Sequence, residues 1–244
     1  MEILKMPNYR IAAVDSLSNL LHENKIDFFV LNGLSLARLE IGSTWSMDDG
    51  IEFYVFSKDR EKALMLLKEH LQAPEDDSSR YCQYTIGSIP CKLFYQTAFW
   101  DSKSKQRYWD DLIDCYFGDI LDHVKINDVE IPILPPTLYA INLFAYIYNL
   151  YKKQGLTIIH FLEWKKFFKE KHDEIVVQEL TAKLDKLGML REFNAFGAVL
   201  VKALDMDERC FPYPIMGANQ LSIAKIMKRI KNVRSDSGSL LFNL

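Results

Sequence analysis

Two short stretches decide the expected fold of this chain: LNGLS at residues 31–35 and DDGIEFYV at residues 48–55. Residues 27–31 form an apolar run rich in strand-favouring side chains, and the Asn-Gly pair that follows ends it. Residues 51–56 form a second apolar run, with carboxylates at its entrance. The pattern predicts a strand, a glycine turn leading into a short helix, an irregular loop and a second strand.

The rest of the N-terminal half alternates between helical and strand patterns. Its predicted elements are a helix over 11–25, a helix capped by Ser57 or Asp59, a charged loop over 73–80, strands over 81–86 and 89–95 that turn at Gly87-Ser88, and a hairpin over 123–133 that turns at Asn127-Asp128.

The composition changes after Pro135-Pro136. Helical periodicity then recurs over residues 137–151, 158–169, 173–187, 189–204 and 219–231. We therefore predict an α+β fold with two domains, an α/β domain over 1–135 and a helical domain over 136–244. In this organisation a mixed sheet is flanked by helices and is followed by a C-terminal helical domain.

Composition limits the classes of function. The chain has 244 residues, is 49% hydrophobic and carries a formal net charge of −3. That net charge argues against nucleic acid as a partner and supplies no attraction to an anionic membrane. Residues 1–5 contain no apolar signal core, and the longest apolar stretch is too short to span a bilayer. The prediction is a cytoplasmic protein with no membrane partner and with reduced cysteines at no metal-site spacing.

The strand that begins near residue 48 could carry metal chemistry. Alternate residues of a strand share a face and lie roughly 7 Å apart at their Cα atoms, so paired acids usually stand two apart. Here Asp48, Gly50 and Glu52 would share one face, with Asp49 on the other unless a bulge at Gly50 turns it. Both a metal site and a merely solvated acidic strand entrance are compatible with this spacing.

These motifs together resemble a bacterial family of uncharacterised nucleotidyltransferases, from about residue 25 to residue 206. The turn at residues 31–37 matches the family's Lys-Gly turn, and GIEFYV at 50–55 matches its carboxylate strand. CKLF at 91–94 matches its next acid-bearing strand, and GLTIIHFLEW at 155–164 matches a segment of its helical domain. The resemblance implies a nucleotidyltransferase-like mixed sheet.

It also implies an activity and roles for residues. The activity is transfer of a nucleoside monophosphate from a Mg²⁺-bound nucleoside triphosphate to an unidentified hydroxyl acceptor. The implied metal ligands are Asp48, Asp49 and Glu52. Asn32, Gly33 and Ser35 would cradle the phosphates. The implied catalytic residues are Asp49, Glu52 and Lys92, the last as a phosphate contact if a strand bend turns it inward.

The departures from the family pattern fall on polar positions. Asn32 replaces a lysine, Gly50 and Lys92 replace acids, and Ile159 replaces an arginine. These losses support an alternative hypothesis, in which the chain is a catalytically inactive binding or scaffold module of the same fold with a protein partner.

Three further features admit a structural and a functional interpretation. His160 and Glu163 are spaced as a helical pair, for which a structural role is favoured over acid–base catalysis. The tyrosines over residues 139–151 favour packing over base stacking. For the basic stretch over 226–234, a solvated helix face is favoured over a nucleic-acid or membrane surface.

Overall fold

The chain folds into two compact units. The structure, a computed structural model, describes residues 9–31, 50–71, 76–77, 80–115, 121–126, 129–153, 155–215 and 220–230. The sheet unit comprises Met1–Thr97 and Arg107–Pro135, and the helical unit comprises Ala98–Gln106 and Pro136–Leu244. The fold is α+β, with a mixed sheet and a helical C-terminal part. Ala98–Gln106 groups with the helical unit rather than with the domain expected over 1–135.

The sheet unit is built on a five-stranded mixed sheet with the order β1-β2-β5-β4-β3. Strand β2 runs antiparallel to β1 and parallel to β5, while β4 runs antiparallel to both β5 and β3. The strands are β1 Phe28–Val30, β2 Ile51–Val55, β3 Asp76–Asp77, β4 Tyr81–Ile86 and β5 Ile89–Phe94. The short edge strand β3 was not predicted, because it lies inside the expected charged loop. It forms by pairing its backbone with β4, and that pairing does not depend on its side chains.

The predicted turn at Gly87-Ser88 is confirmed. Ile86 and Ile89 close the β4–β5 ladder, and Gly87 has a φ of +64°. Glycine adopts that left-handed backbone without steric cost, which is why this dipeptide can join the two strands. The second predicted hairpin is also confirmed, as β6 Asp122–Ile126 and β7 Val129–Ile133, while its turn residues 127–128 lie outside the described residues.

One face of the sheet is a continuous apolar core. Helix α1, Tyr9–Glu23, packs on β5 and β7. Of the five apolar side chains that its periodicity places on one face, Val14, Leu17 and Leu21 are buried and Ile11 and Leu20 are half-buried. The sheet side chains on this face are at most 2% exposed and include Val30, Ile51, Phe53, Val55, Cys82, Tyr84, Cys91 and Leu93. Each large apolar side chain buried in this way contributes about 1.5–3 kcal/mol. Burial also raises the pKa of the Cys91 thiol to about 12, against a smaller opposing effect of a backbone hydrogen bond.

Helix α2, Arg60–His70, begins directly after Asp59, one of the two predicted caps. A 3₁₀ turn over Ser57–Asp59 precedes it, and neither Ser57 nor Asp59 caps the helix with its side chain. The Asp59 carboxylate instead accepts a hydrogen bond from the Asp27 backbone N–H at 3.4 Å. Asp59 therefore stands at the predicted cap position, but its carboxylate is taken up by the contact with the β1 entrance and does not bond to the helix terminus.

Helix α3, Lys103–Asp114, has no counterpart among the predicted elements. In the sheet unit it buries Trp109 and Ile113, and the Trp109 indole N–H donates to Thr97 Oγ1 at 2.7 Å. Only these two of its twelve residues are buried, so the apolar pattern in the sequence is sparse.

The helical unit contains α4 Pro136–Lys152, α5 Ile158–Lys171, α6 Val177–Lys186, α7 Leu190–Lys202 and α8 Gln220–Lys228. All five were predicted, although α6 begins four residues later than expected. A 3₁₀ turn over His172–Glu174 precedes it, and Thr137 Oγ1 accepts from the Val176 N–H at 3.0 Å. This contact fixes an extended segment where the periodicity predicted the first helical turn.

Aromatic rings form the core of the helical unit. Phe144 of α4 stacks on Trp164 of α5 at a centroid distance of 5.8 Å and meets Phe193 of α7 edge-on at 5.1 Å. Phe211 joins the same cluster and lies so close to Gly197 that an added Cβ would come within 2.0 Å of its ring. This packing buries Phe144, whereas Tyr146, one of the tyrosines expected to pack, is 52% exposed. Among the described helices, none has the length and apolarity to cross a membrane.

Candidate functional site

The pairing of β2 with β5 places two of the predicted site residues side by side. Glu52 and Lys92 are direct partners in this parallel ladder, and Gln83 of β4 lies on the other side of Lys92. Partners on adjacent strands are about 5 Å apart at their Cα atoms and point to the same face. All three side chains are half-buried. A polar row therefore crosses the face of the sheet opposite the apolar core.

Gly50 sits against the backbone of β5. A Cβ atom at Gly50 would lie 1.9 Å from the Pro90 carbonyl oxygen and 2.7 Å from the Pro90 carbonyl carbon. Glycine is required here by close backbone approach, and no carboxylate can replace it in this register. The position at which the resemblance places a first metal-binding acid is thus filled by the neighbouring strand.

The proposed bulge at Gly50 receives no support from the described part of β2. The ladder runs without interruption from Ile51–Cys91 to Tyr54–Phe94, and Gly50 is not among the glycines with positive φ. The Leu31 N–H donates to the Glu52 carbonyl at 2.7 Å and continues the β1 pairing toward the turn. The backbone around Glu52 is that of an ordinary central strand.

Lys92 does not need a strand bend to share a face with Glu52. The β4–β5 ladder is continuous around it, and its Nζ lies 5.5 Å from the centroid of the Tyr81 ring. A cation over an aromatic ring is attracted by the ring's quadrupole. Lys92 thus brings a positive charge to the row in which the resemblance expects an acid.

The other predicted site residues lie outside the described residues: Asn32, Gly33, Ser35, Asp48 and Asp49. In the part of the chain that the structure describes, no three His, Cys, Asp or Glu side chains converge in a way that could hold a metal ion. Of the predicted Mg²⁺ ligands, the structure therefore places Glu52 alone. The phosphate cradle and the full ligand set stay predictions.

A second polar cluster, missed by sequence reasoning, lies just beyond the carboxyl ends of β2 and β5. The Asp114 carboxylate of α3 accepts from the Tyr54 hydroxyl at 3.1 Å, from the Ser57 hydroxyl at 2.5 Å and from the Ser57 N–H at 3.2 Å. Arg60 donates to the Tyr95 carbonyl at 3.0 Å and lies 5.8 Å from the Tyr54 ring centroid. We call these residues, Tyr54, Ser57, Arg60, Tyr95 and Asp114, the Asp114 cluster.

Burial dominates the electrostatics of the Asp114 cluster. Burial first, and then the Asp114 carboxylate, raise the pKa of Tyr54 above its usual range, while Arg60 opposes the shift. Tyr54 thus remains a neutral hydrogen-bond donor at physiological pH. The neutral Tyr54 hydroxyl donates a hydrogen bond to the Asp114 carboxylate and so connects β2 to α3. The role of this bond is structural. The sequence gives no signal for it, because Tyr54 and Asp114 are sixty residues apart.

His160 proves to be structural in the helical unit. Its Nδ1 accepts a hydrogen bond from the Thr157 N–H at 3.1 Å and lies 2.9 Å from Thr157 Oγ1, so it caps the N-terminus of α5.

Ile159, at the position where the resemblance expects an arginine, is 38% exposed, and Trp164 is fully buried in the aromatic core. The segment 155–164 therefore contains the start of helix α5. It keeps the buried Trp164 of the family pattern but has Ile159 in place of the expected arginine.

Comparison with known proteins adds no relative. Neither the known protein-family models nor the curated protein sequences contain a match to this chain. The resemblance to nucleotidyltransferases therefore rests on the residues quoted above, and membership of that family stays a prediction.

Proposed function

We propose that this chain is a catalytically inactive nucleotidyltransferase-like protein that acts as a binding or scaffold module. One observation carries the proposal, namely the register of β2 on β5. That register sets Gly50 against Pro90, which excludes a side chain, and sets Glu52 beside Lys92. The first effect excludes an acid at position 50, and the second places a lysine beside Glu52 where the resemblance expects another acid.

The charge of Lys92 opposes a catalytic cation. Nucleotidyl transfer requires Mg²⁺ held by converging carboxylates, because the metal must neutralise the triphosphate. A divalent cation held at Glu52 would be repelled by the ammonium group of Lys92 on the adjacent strand. Glu52 alone supplies one compensating charge. The Glu52–Lys92 pair is therefore close to self-neutralising and is a poor magnesium site.

The wider charge of the sheet unit also disfavours a free triphosphate. The unit contains twelve Lys and Arg against twenty-one Asp and Glu, a formal net charge of −9. An anionic domain repels a polyphosphate unless a metal site compensates for that repulsion. We expect its ligand to be a protein surface rather than a nucleotide.

The second candidate function is transfer of a nucleoside monophosphate from a Mg²⁺-bound triphosphate to a hydroxyl acceptor. It is favoured by the half-buried Glu52, which stands on the polar face of a central strand three residues after Asp49. Those acids would have to complete the site with Glu52, and Asn32, Gly33 and Ser35 would hold the phosphates.

Calorimetric titration with the four nucleoside triphosphates, with and without Mg²⁺, separates the two functions. The variants are Glu52→Gln and, as a matched control, Glu61→Gln at an exposed site on α2. We expect the three proteins to give the same heats, with no magnesium-dependent binding. Magnesium-dependent binding to the wild type and to Glu61→Gln that is lost in Glu52→Gln would overturn the proposal in favour of the transferase.

A further inference from the structure

The helical unit carries the opposite charge from the sheet unit. It contains eighteen Lys and Arg against twelve Asp and Glu, a formal net charge of +6. The whole-chain value of −3 conceals this division. An anionic partner that the sheet unit repels would be attracted to the helical unit.

The positive charge is concentrated at the C-terminal end of the unit. No Asp or Glu occurs between Glu208 and Asp236, whereas that span contains six Lys and Arg. Four of the six are exposed among the described residues: Arg209, which pairs with Asp207, and the α8 group Lys225, Lys228 and Arg229. Side chains three and four residues apart share a helix face with about 5–6 Å between their Cβ atoms. Ile226 between them is only 5% exposed, so α8 is held with its basic face outward.

Aromatic rings adjoin these cations. The Arg229 guanidinium carbon lies 4.7 Å from the centroid of Tyr151, at the end of α4. Tyr148 stacks on Tyr151 at 6.3 Å, and Lys152 Nζ lies 5.6 Å from the Tyr148 ring. We call this set, Tyr148, Tyr151, Lys152, Lys225, Lys228 and Arg229, the α8 surface. Two carboxylates adjoin it: Glu192, whose negative charge acts on the Tyr148 hydroxyl, and Asp101, whose carboxylate lies 3.7 Å from Lys152 and 3.2 Å from Lys105.

We propose that the α8 surface binds single-stranded nucleic acid, with Lys225, Lys228 and Arg229 on successive phosphates and the Tyr148–Tyr151 pair against a base. Phosphates along a strand are spaced at intervals that a row of helical cations can follow, and half-exposed rings next to cations are the platform on which unpaired bases stack. An acidic peptide would use the cations and leave the rings without a role. The binding does not depend on any activity of the sheet unit.

The test is fluorescence anisotropy of labelled twenty-nucleotide oligo(U) and oligo(dT) with the full chain, over a series of salt concentrations. Three phosphate contacts predict a slope of about −2 for log K against log salt. The Lys225→Glu/Lys228→Glu variant removes two contacts, so its slope falls to about −1 or weaker. RNA and DNA probes distinguish the sugar, and either one binding in this way supports the proposal.

A matched control keeps the test specific. Lys169→Glu/Lys202→Glu makes the same change in net charge at two exposed positions on α5 and α7. Neither belongs to the α8 surface: Lys169 follows Phe167, which meets Tyr139 at the start of α4, and Lys202 precedes Asp205, whose carbonyl accepts from Lys165 Nζ at 3.0 Å. We expect this control to keep the wild-type slope, with circular dichroism showing that both variants are folded.

Three outcomes would overturn the proposal. The first is no binding of either oligonucleotide at low salt. The second is equal loss of slope in both double variants, which would show attraction by net charge alone. The third is tighter binding of polyglutamate, or of vesicles containing phosphatidylserine, than of the oligonucleotides, which would assign the surface to an acidic protein or a membrane.

Discussion

At the scale of single residues, Gly50 is the position on which the functional interpretation depends most. The sequence shows only that a glycine stands where the resemblance expects an acid. The structure supplies a reason, because the Pro90 carbonyl fills the space that any Cβ would need. A buried glycine of this kind is a requirement of sheet packing, so its presence is explained without reference to catalysis.

The Gly50→Ala substitution tests that explanation. We expect it to lower the free energy of unfolding by about 2–4 kcal/mol, since strand β2 or β5 must shift to relieve a 1.9 Å contact with backbone. Urea denaturation followed by circular dichroism measures the change. Gly87→Asn is the control, because an added Cβ there has nothing within 4 Å and asparagine tolerates the positive φ. Equal stability of Gly50→Ala and wild type would show that β5 does not close the site.

At the scale of elements, the attachment of α3 to β2 depends on one carboxylate. Asp114 accepts three hydrogen bonds from Tyr54 and Ser57, and Tyr54 is 3% exposed. Removing the acceptor leaves a buried hydroxyl without that partner, which costs more than the net value of the bond itself.

We therefore expect Asp114→Ala to destabilise the protein by about 2–4 kcal/mol and Tyr54→Phe by about 1 kcal/mol. Hydrogen exchange should show the loss of protection beginning in α3. Asp111→Ala, at an exposed position on the same helix, is the control and should change stability by less than about 0.5 kcal/mol. An Asp114→Ala protein as stable as this control would contradict a role for the cluster in holding α3.

Elements were predictable from sequence where their apolar pattern was dense. Helix α4 buries ten of its residues, so its apolar periodicity predicted it. The β4–β5 hairpin has Gly87 at its turn, so its turn residues predicted it. Helix α3 buries two residues and was missed. The edge strand β3 was missed because its pairing is a backbone property. The pairing of Glu52 with Lys92 could not be predicted either, because it depends on the parallel register of β2 and β5, which are forty residues apart in the chain.

At the scale of the whole molecule, charge divides the chain more sharply than composition suggests. The sheet unit has a formal net charge of −9 and the helical unit one of +6. The expectation that nucleic acid is not a partner came from the whole-chain sum, which averages over this division. A phosphate-bearing ligand is repelled by the first unit and attracted by the second, so we assign binding roles to the two units separately.

The central claim is that the β2–β5 register replaces a metal site with the Glu52–Lys92 pair, and titration with Mn²⁺ followed by electron paramagnetic resonance tests it most directly. We expect the wild type and Glu52→Gln to take up the same amount of Mn²⁺. The Lys92→Glu variant sets a second carboxylate beside Glu52, so we expect it to gain one bound ion that is lost again when Glu52→Gln is added. One Mn²⁺ bound by the wild type and lost in Glu52→Gln would contradict the claim and show that the carboxylate site is intact.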